Sequence, residues 1–248
     1  MKEEILEKVE GIIVPIPEEV VVIEKPLVKT DLDRWTPKTE IGRKVKSKEI
    51  QNIDEILRSG GKILESEIID ILVPNLQTDL LLVGQSRGKF GGGKRTIWRQ
   101  TQKKTSEGNK PKFGIVAIVG NKDGYVGIGL GKSKETMPAR EKAIRKAKLS
   151  LIRVKRGCGS WVCGCDKNHS IPYSVKGKQG ATLIKLMPAP KGTKLCIEKE
   201  CQKILDLAGI KDVYSKVSDA KTKMNLVYAC FDALKNLSKV KVKGKEDE

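Results

Sequence analysis

Three cysteines and the only histidine of the chain fall within residues 158–169. Cys158, Cys163, Cys165 and His169 are spaced C-x4-C-x-C-x3-H, and Gly157, Gly159 and Gly164 allow the tight folding such a set needs. Four soft nitrogen and sulfur ligands suit tetrahedral zinc, and a set with no open position is structural rather than catalytic. Bound zinc would add folding free energy on the order of 10 kcal/mol to a segment with little core of its own. A turn carrying reduced thiols is the other reading of the same residues, and both stay open here. Met1-Lys2-Glu3-Glu4 followed by Pro15 and Pro17 does not read as a signal peptide, which points to the cytosol, where thiols are free or metal-bound rather than paired. Cys196, Cys201 and Cys230 are isolated and read as core or surface residues.

The second chemistry is charge. Of the formal +18, residues 1–86 contribute −5, residues 87–156 contribute +16 and residues 157–248 contribute +7. A positive middle third attracts phosphate backbones through counterion release and steering. The candidate RNA-binding side chains are Arg87, Lys89, Lys94 and Arg95 in the glycine-rich loop 86–95, then Arg99, Lys103, Lys104, Lys110 and Lys112 around a hairpin tip. Lys132, Lys134, Arg140, Arg145, Arg153, Lys155 and Arg156 complete the set. Glycine backbone can follow a phosphate ribbon closely, and Phe90 in the loop offers a stacking ring. Enzyme readings fail on parts. Gly131-Lys132-Ser133 ends like a P-loop, but Val126 stands where the first glycine is required. Gly127-x-Gly129 is followed by Lys132 rather than the third glycine of a dinucleotide fingerprint. The lone histidine sits among cysteines, without an acid–base partner. No apolar run approaches the roughly 18 residues that span a bilayer, so no membrane partner is expected.

These side chains need a frame. Ile115–Val119 and Tyr125–Leu130 are short β-branched runs on either side of Gly120-Asn121-Lys122-Asp123-Gly124, a hairpin turn signal. Glycine alternates in Tyr125-Val126-Gly127-Ile128-Gly129-Leu130-Gly131, which leaves one strand face bare for close approach by another backbone or a ligand. Ala139, Ala143, Ala147 and Leu151 form a stripe at helical spacing, small enough to bring that helix near a sheet. Upstream, residues 52–73 read as helical, capped at Asn52 and broken at Gly60-Gly61, and Thr96–Lys104 as a strand turning at Ser106–Asn109. The order is helix, three antiparallel strands, helix: a double-stranded-RNA-binding type of α/β layer. Downstream, Tyr173–Val175 and Ala181–Met187 read as strands joined by Gly177–Gly180. A helix ending at Gly209, a strand over Val213–Val217 and a last helix on Leu226, Cys230, Ala233, Leu234 and Leu237 follow. The expected division is an extension over 1–50, a double-stranded-RNA-binding-like domain over 51–157, a Cys/His linker over 158–170, an α/β domain over 171–240 and a charged tail over 241–248.

Gly108–Phe113, Val119–Gly129, Ala143 and Ala147 resemble the small-subunit ribosomal protein S-five family. Leu186-Met187-Pro188-Ala189-Pro190-Lys191-Gly192-Thr193 is similar to that family's second signature, and Trp35–Thr39 and Arg156–Trp161 look like its archaeal branch. The resemblance implies a double-stranded-RNA-binding-like α-β-β-β-α domain followed by a small α/β domain of left-handed βαβ type. It implies a structural constituent of the small subunit in the cytoplasm, bound to small-subunit ribosomal RNA and to ribosomal proteins S-four and S-eight. It also implies a place near messenger RNA where the messenger enters, and a part in decoding accuracy. On charge alone, a double-stranded-RNA-binding regulator outside the ribosome stands beside that reading.

Overall fold

The computed structural model describes residues 35–85, 95–165, 167–220 and 222–239. The first 34 residues, the tail from residue 240 and most of the glycine-rich loop lie outside the described residues, and with them Arg87, Lys89 and Lys94 and the strand expected at Val20–Ile23. Three short helices come first: α1 (Glu40–Lys46), α2 (Ile53–Arg58) and α3 (Ser66–Leu72). Thr39 caps α1 by accepting from Gly42 N at 3.1 Å, and the Glu65 carboxylate accepts from the Lys38 and Thr39 amides at 2.9 and 2.7 Å. Asn52 is the N-cap residue of α2, as its sequence suggests, but its side chain makes no capping bond. Gly60 closes α2 at φ 72°, and Gly61 N returns to Ile56 O at 3.1 Å, a capping turn that favours a residue without a Cβ.

The first sheet contains β1 (Gln77–Leu80), β2 (Trp98–Thr105), β3 (Gly108–Gly120), β4 (Tyr125–Ser133) and β5 (Ile152–Arg153), all antiparallel to their neighbours. One edge of β3 is shared: β1 pairs with residues 117–120 and β2 with residues 108–115. Beyond the end of β4, the β2–β3 pair continues alone as a two-stranded ribbon closed by Ser106–Glu107. Helix α4 (Thr136–Leu149) lies across one face of the sheet. The expected bare face is filled by backbone. A Cβ on Gly127, Gly129 or Gly131 would stand 2.2, 2.2 and 2.1 Å from the carbonyl oxygens of Ala147, Ala143 and Ala139. Glycine on the strand and alanine on the helix therefore bring the two backbones together along three successive turns.

The second sheet contains β6 (Val175–Gln179), β7 (Thr182–Pro188), β8 (Leu195–Cys196) and β9 (Val213–Ser218), in the order β6-β7-β9-β8. Helix α5 (Lys199–Leu207) carries the chain from β8 to the parallel β9, and α6 (Lys223–Lys239) packs on β6 and β7. The sequence placed a turn at Gly177, whereas the strand runs through it and turns at Gly180–Ala181. Gly177 is in the strand interior because its open face meets α6, where a Cβ would lie 2.1 Å from Ala229 O. The two sheets share a core. Val116, Ile118, Val126 and Ile128 from the first cluster with Ile184 and Leu186 from the second, and with Ile204, Leu205, Leu234 and Leu237 from α5 and α6. β3 is consequently buried on both faces from Ile115 to Gly120.

The Gly120–Gly124 turn is pinned from several sides. Asn121 Oδ1 accepts from Asp123 N and Tyr125 N at 2.8 and 3.1 Å. Lys122 N donates to Leu207 O at 2.9 Å, tying the turn to the end of α5. Tyr125 donates its hydroxyl to Asp54 at 2.7 Å, and burial together with that carboxylate pushes its pKa up to about 12. If the glycine–alanine contact sets the fold, Gly129→Ala should destabilise the protein by about 3 kcal/mol in urea titration, because only backbone is available to yield. Gly114→Ala, where a Cβ meets neighbours at an ordinary 3.8 Å, should stay within about 0.5 kcal/mol of the parent.

Candidate nucleic-acid interface and metal cluster

Register decides which cations act together. Across β2, β3 and β4 the pairs Lys103↔Lys110, Thr101↔Lys112 and Arg99↔Gly114↔Lys132 point to the same side. Side chains of directly opposed residues share a face. One face therefore carries Arg99, Lys103, Lys110, Lys112 and Lys132, all exposed, with Gly114 leaving a gap between Arg99 and Lys132. Lys104 points to the opposite face of the ribbon, beside Gln100, Gln102 and the exposed Trp98. Lys110 reaches Glu107 at 2.7 Å, but both side chains are well exposed and the pair is weak. Among the described residues, Arg99, Lys103, Lys104, Lys112 and Lys132 have no carboxylate partner. A two-stranded ribbon with cations aligned in this way can track a phosphate backbone.

The other candidates divide differently. Arg95 is exposed where the described chain resumes after the glycine-rich loop. Arg140 and Arg145 are exposed on α4, on the side of the sheet opposite the Arg99 row, and Lys134 is exposed in the bend between β4 and α4. Arg153 and Arg156 are engaged within the protein: Arg153 meets Asp54 at 2.5 Å and Arg156 holds Asp123 while its guanidinium also donates to Lys122 O. Lys155 between them is partly buried. Lys148 on α4 likewise pairs with Asp70 on α3, at 2.6 Å. The charge run from 145 to 156 thus contains both outward cations and cations tied to carboxylates of other elements, a distinction that spacing alone does not carry.

The four sulfur and nitrogen groups converge. Ligand atoms of Cys158, Cys163, Cys165 and His169 lie within 4.8 Å of one another. Cys165 Sγ stands 3.8 Å from Cys158 Sγ, and Cys163 Sγ stands 3.6 Å from His169 Nε2. Those separations match the edges of a tetrahedron with zinc–sulfur bonds of about 2.3 Å and zinc–nitrogen bonds of about 2.0 Å. Cys163 and Cys165 approach more closely, at 2.9 Å. Hydrogen bonds from Cys165 and from the Lys191 amide lower the Cys163 thiol to about 6, so it is a ready thiolate. Cys201 is the opposite case: its contact with Cys230 and its burial push its pKa up, and both thiols are buried and inert.

The orienting residue is one the spacing could not supply. Asp212, 43 positions from His169, accepts from its Nδ1 at 2.8 Å, and both side chains are buried. A carboxylate partner fixes the tautomer, leaving the Nε2 lone pair toward Cys163. The other Asp212 oxygen accepts from Gly192 N and Lys194 N at 3.1 and 2.8 Å, and its backbone oxygen accepts from Ser170 Oγ at 2.5 Å. The Asp212 and Lys211 amides close the loop by donating to His169 O. The Cys/His knuckle is thereby tied to the Pro188–Thr193 turn and to the start of β9. No local signal points to it, because the pair joins residues 43 positions apart.

An α/β protein with a basic antiparallel ribbon on a helix-backed sheet, and a Cys3His knuckle leading into a second sheet, belongs to the class of structural RNA-binding proteins. Residues 97–155 match the family described as Ribosomal protein S5, N-terminal domain, and residues 177–246 match Ribosomal protein S5, C-terminal domain. The chain belongs to the ribosomal protein S5 family, whose members are structural ribosomal proteins and not enzymes. It is 52% identical over 213 residues to the small ribosomal subunit protein uS5 of Nanoarchaeum equitans, covering 86% of this chain and 91% of that protein. It is 43% identical over 222 residues to the protein of the same name from Methanocaldococcus jannaschii, covering 89% and 95%. Against that of Pyrobaculum aerophilum the identity is 45% over 207 residues, covering 83% and 88%.

Asp212→Ala would leave His169 and the Gly192 and Lys194 amides without their acceptor. It should lower the unfolding free energy by about 2–3 kcal/mol in denaturant titration, the usual cost of orphaning buried polar groups. A change within experimental error would mean that the Asp212 network is not holding the linker.

Proposed function

We propose that this protein is a structural constituent of the small ribosomal subunit, and that it acts in the cytoplasm by binding small-subunit ribosomal RNA. The observation that carries the reading is the exposed row of Arg99, Lys103, Lys110, Lys112 and Lys132 on a ribbon that continues a helix-backed sheet, in a chain of the S5 family. In this proposal the ribbon and the glycine-rich loop neutralise phosphates, with Arg87, Lys89, Lys94 and Arg95 extending the contact. Lys104, Lys134, Arg140, Arg145 and Lys155 serve a second face, while Arg153 and Arg156 divide their role between RNA and the internal ion pairs. The domain over 51–157 supplies that surface, and the domain over 171–240 supplies contacts to neighbouring ribosomal proteins, S-four and S-eight among them. A position near the incoming messenger RNA and a contribution to decoding accuracy follow from the same family reading. Binding to small-subunit RNA should weaken steeply with salt, and Lys103→Gln/Lys110→Gln/Lys112→Gln should reduce the slope of log K against log salt by about 2–3. An unchanged slope would remove the ribbon from the interface.

Cys158, Cys163, Cys165 and His169 would hold a structural zinc ion, with Asp212 as the orienting partner of His169. The donor set fits: three sulfurs, one already inclined to be thiolate, and one imidazole with its free nitrogen turned inward. When bound, the metal crosslinks the linker; it has no reaction to catalyse. Purified protein should contain about one zinc per chain, and Cys163→Ser/Cys165→Ser should lose it and unfold at lower temperature. Metal-free wild-type protein with the same thermal midpoint would refute the site.

A further inference from the structure

The second sheet has one face packed on α6 and one that nothing covers among the described residues. Val175, Gly177, Ile184 and Leu186 face the helix side. Lys176, Lys178, Leu183, Lys185, Met187, Tyr214 and Lys216 alternate with them and point the other way. Lys176 stands directly opposite Lys185, and Lys185 directly opposite Lys216. Three ammonium groups are thus aligned in adjacent strands roughly 5 Å apart at the backbone. No aspartate or glutamate occurs in β6, β7 or β9, and no ion pair reaches any of the three lysines among the described residues. Like charges directly opposed across a sheet repel and are unfavourable.

A hollow of about 270 Å³ lies along this row, lined by Lys176, Leu183, Lys185, Lys216, Val217 and Ser218. Tyr214, 40% exposed, stands beside it across from Met187. Aligned cations with an adjoining aromatic ring fit a nucleic-acid strand, whose phosphates the lysines neutralise and whose base the ring can stack on. We infer that the Lys176–Lys185–Lys216 row is a second RNA-binding surface, separate from the β2–β3 ribbon, that seats phosphates of ribosomal RNA. The inference rests on the RNA-binding reading above, and its occupant is RNA because the face carries four cations, no carboxylate for a basic partner, and the Tyr214 ring on which a base can stack.

The test compares three full-length proteins on full-length small-subunit ribosomal RNA across a salt series. They are the wild type, Lys176→Gln/Lys185→Gln/Lys216→Gln, and a charge-matched control, Lys199→Gln/Lys211→Gln/Lys235→Gln. The row variant should reduce the slope of log K against log salt by about 2–3 relative to the control. Equal slopes for the row variant and the control overturn the inference. A flat response from the wild type instead overturns the RNA-binding reading itself, so the two failures differ. Loss of association with other small-subunit proteins at an unchanged RNA slope would assign the face to an acidic protein and also overturn it. In the free protein, the row variant should melt at a higher temperature than wild type at low salt, with the gap closing as salt is added. A lower melting temperature would show that the lysines support the fold rather than await a ligand, and would count against the inference.

Discussion

The carbonyls of Ala139, Ala143 and Ala147 lie against the glycine positions of β4 at distances no side chain could share. This backbone-on-backbone contact sets the rest of the first sheet. It holds α4 close enough that Ile115 and Ala117 are sealed against it, while Val116 and Ile118 on the other face enter the core shared with the second sheet. Tight packing resists any added methylene, since protein interiors have few voids to absorb one. A strand clamped from both sides is a stiff base, and the β2–β3 ribbon projects from it without a helix of its own. The same device recurs where Gly177 meets the backbone of Ala229 and Ala233 on α6.

Stiffness matters because the useful charges are outside the clamp. An interface that neutralises phosphates gains most when its cations are already spaced and need not be ordered on binding. Arg153, Arg156 and Lys148 are engaged internally, each with the carboxylate of a neighbouring turn or helix. Among the described residues, Arg99, Lys103, Lys112 and Lys132 of the ribbon row and the Lys176–Lys185–Lys216 row are by contrast aligned cations with no carboxylate partner. The knuckle at residues 158–169 joins the halves: its histidine is fixed by Asp212, and Asp212 in turn gathers the Gly192 and Lys194 amides. A short linker rich in glycine, with few apolar residues to bury, is held by polar bonds rather than by core.

Much of this was legible before any coordinates. Alternating glycine in 125–131 and alanine every fourth residue from 139 each narrow the local choices to a strand with a bare face and a helix with a thin one. The C-x4-C-x-C-x3-H spacing likewise brings three thiols and an imidazole to one place, because twelve residues leave little room for them to separate. Gly177 shows the failure of the same reasoning: a glycine beside Lys178-Gln179-Gly180 reads as a turn until α6 is known to lie on it. β1, β5 and β8 carry too little pattern to stand out at two to four residues, and α1 falls within the stretch over 1–50 that reads as an extension.

The order of elements, the hairpin turns and the Cys3His cluster were determined by local sequence, because each depends on residues within a dozen positions of one another, and the basic middle third is a matter of composition. Which lysines stand in one row, which arginines are tied to carboxylates and why Asp212 governs His169 were decided only by the tertiary structure. Those relations join residues tens of positions apart through strand register and burial, and a one-dimensional pattern does not contain the pairing that creates them.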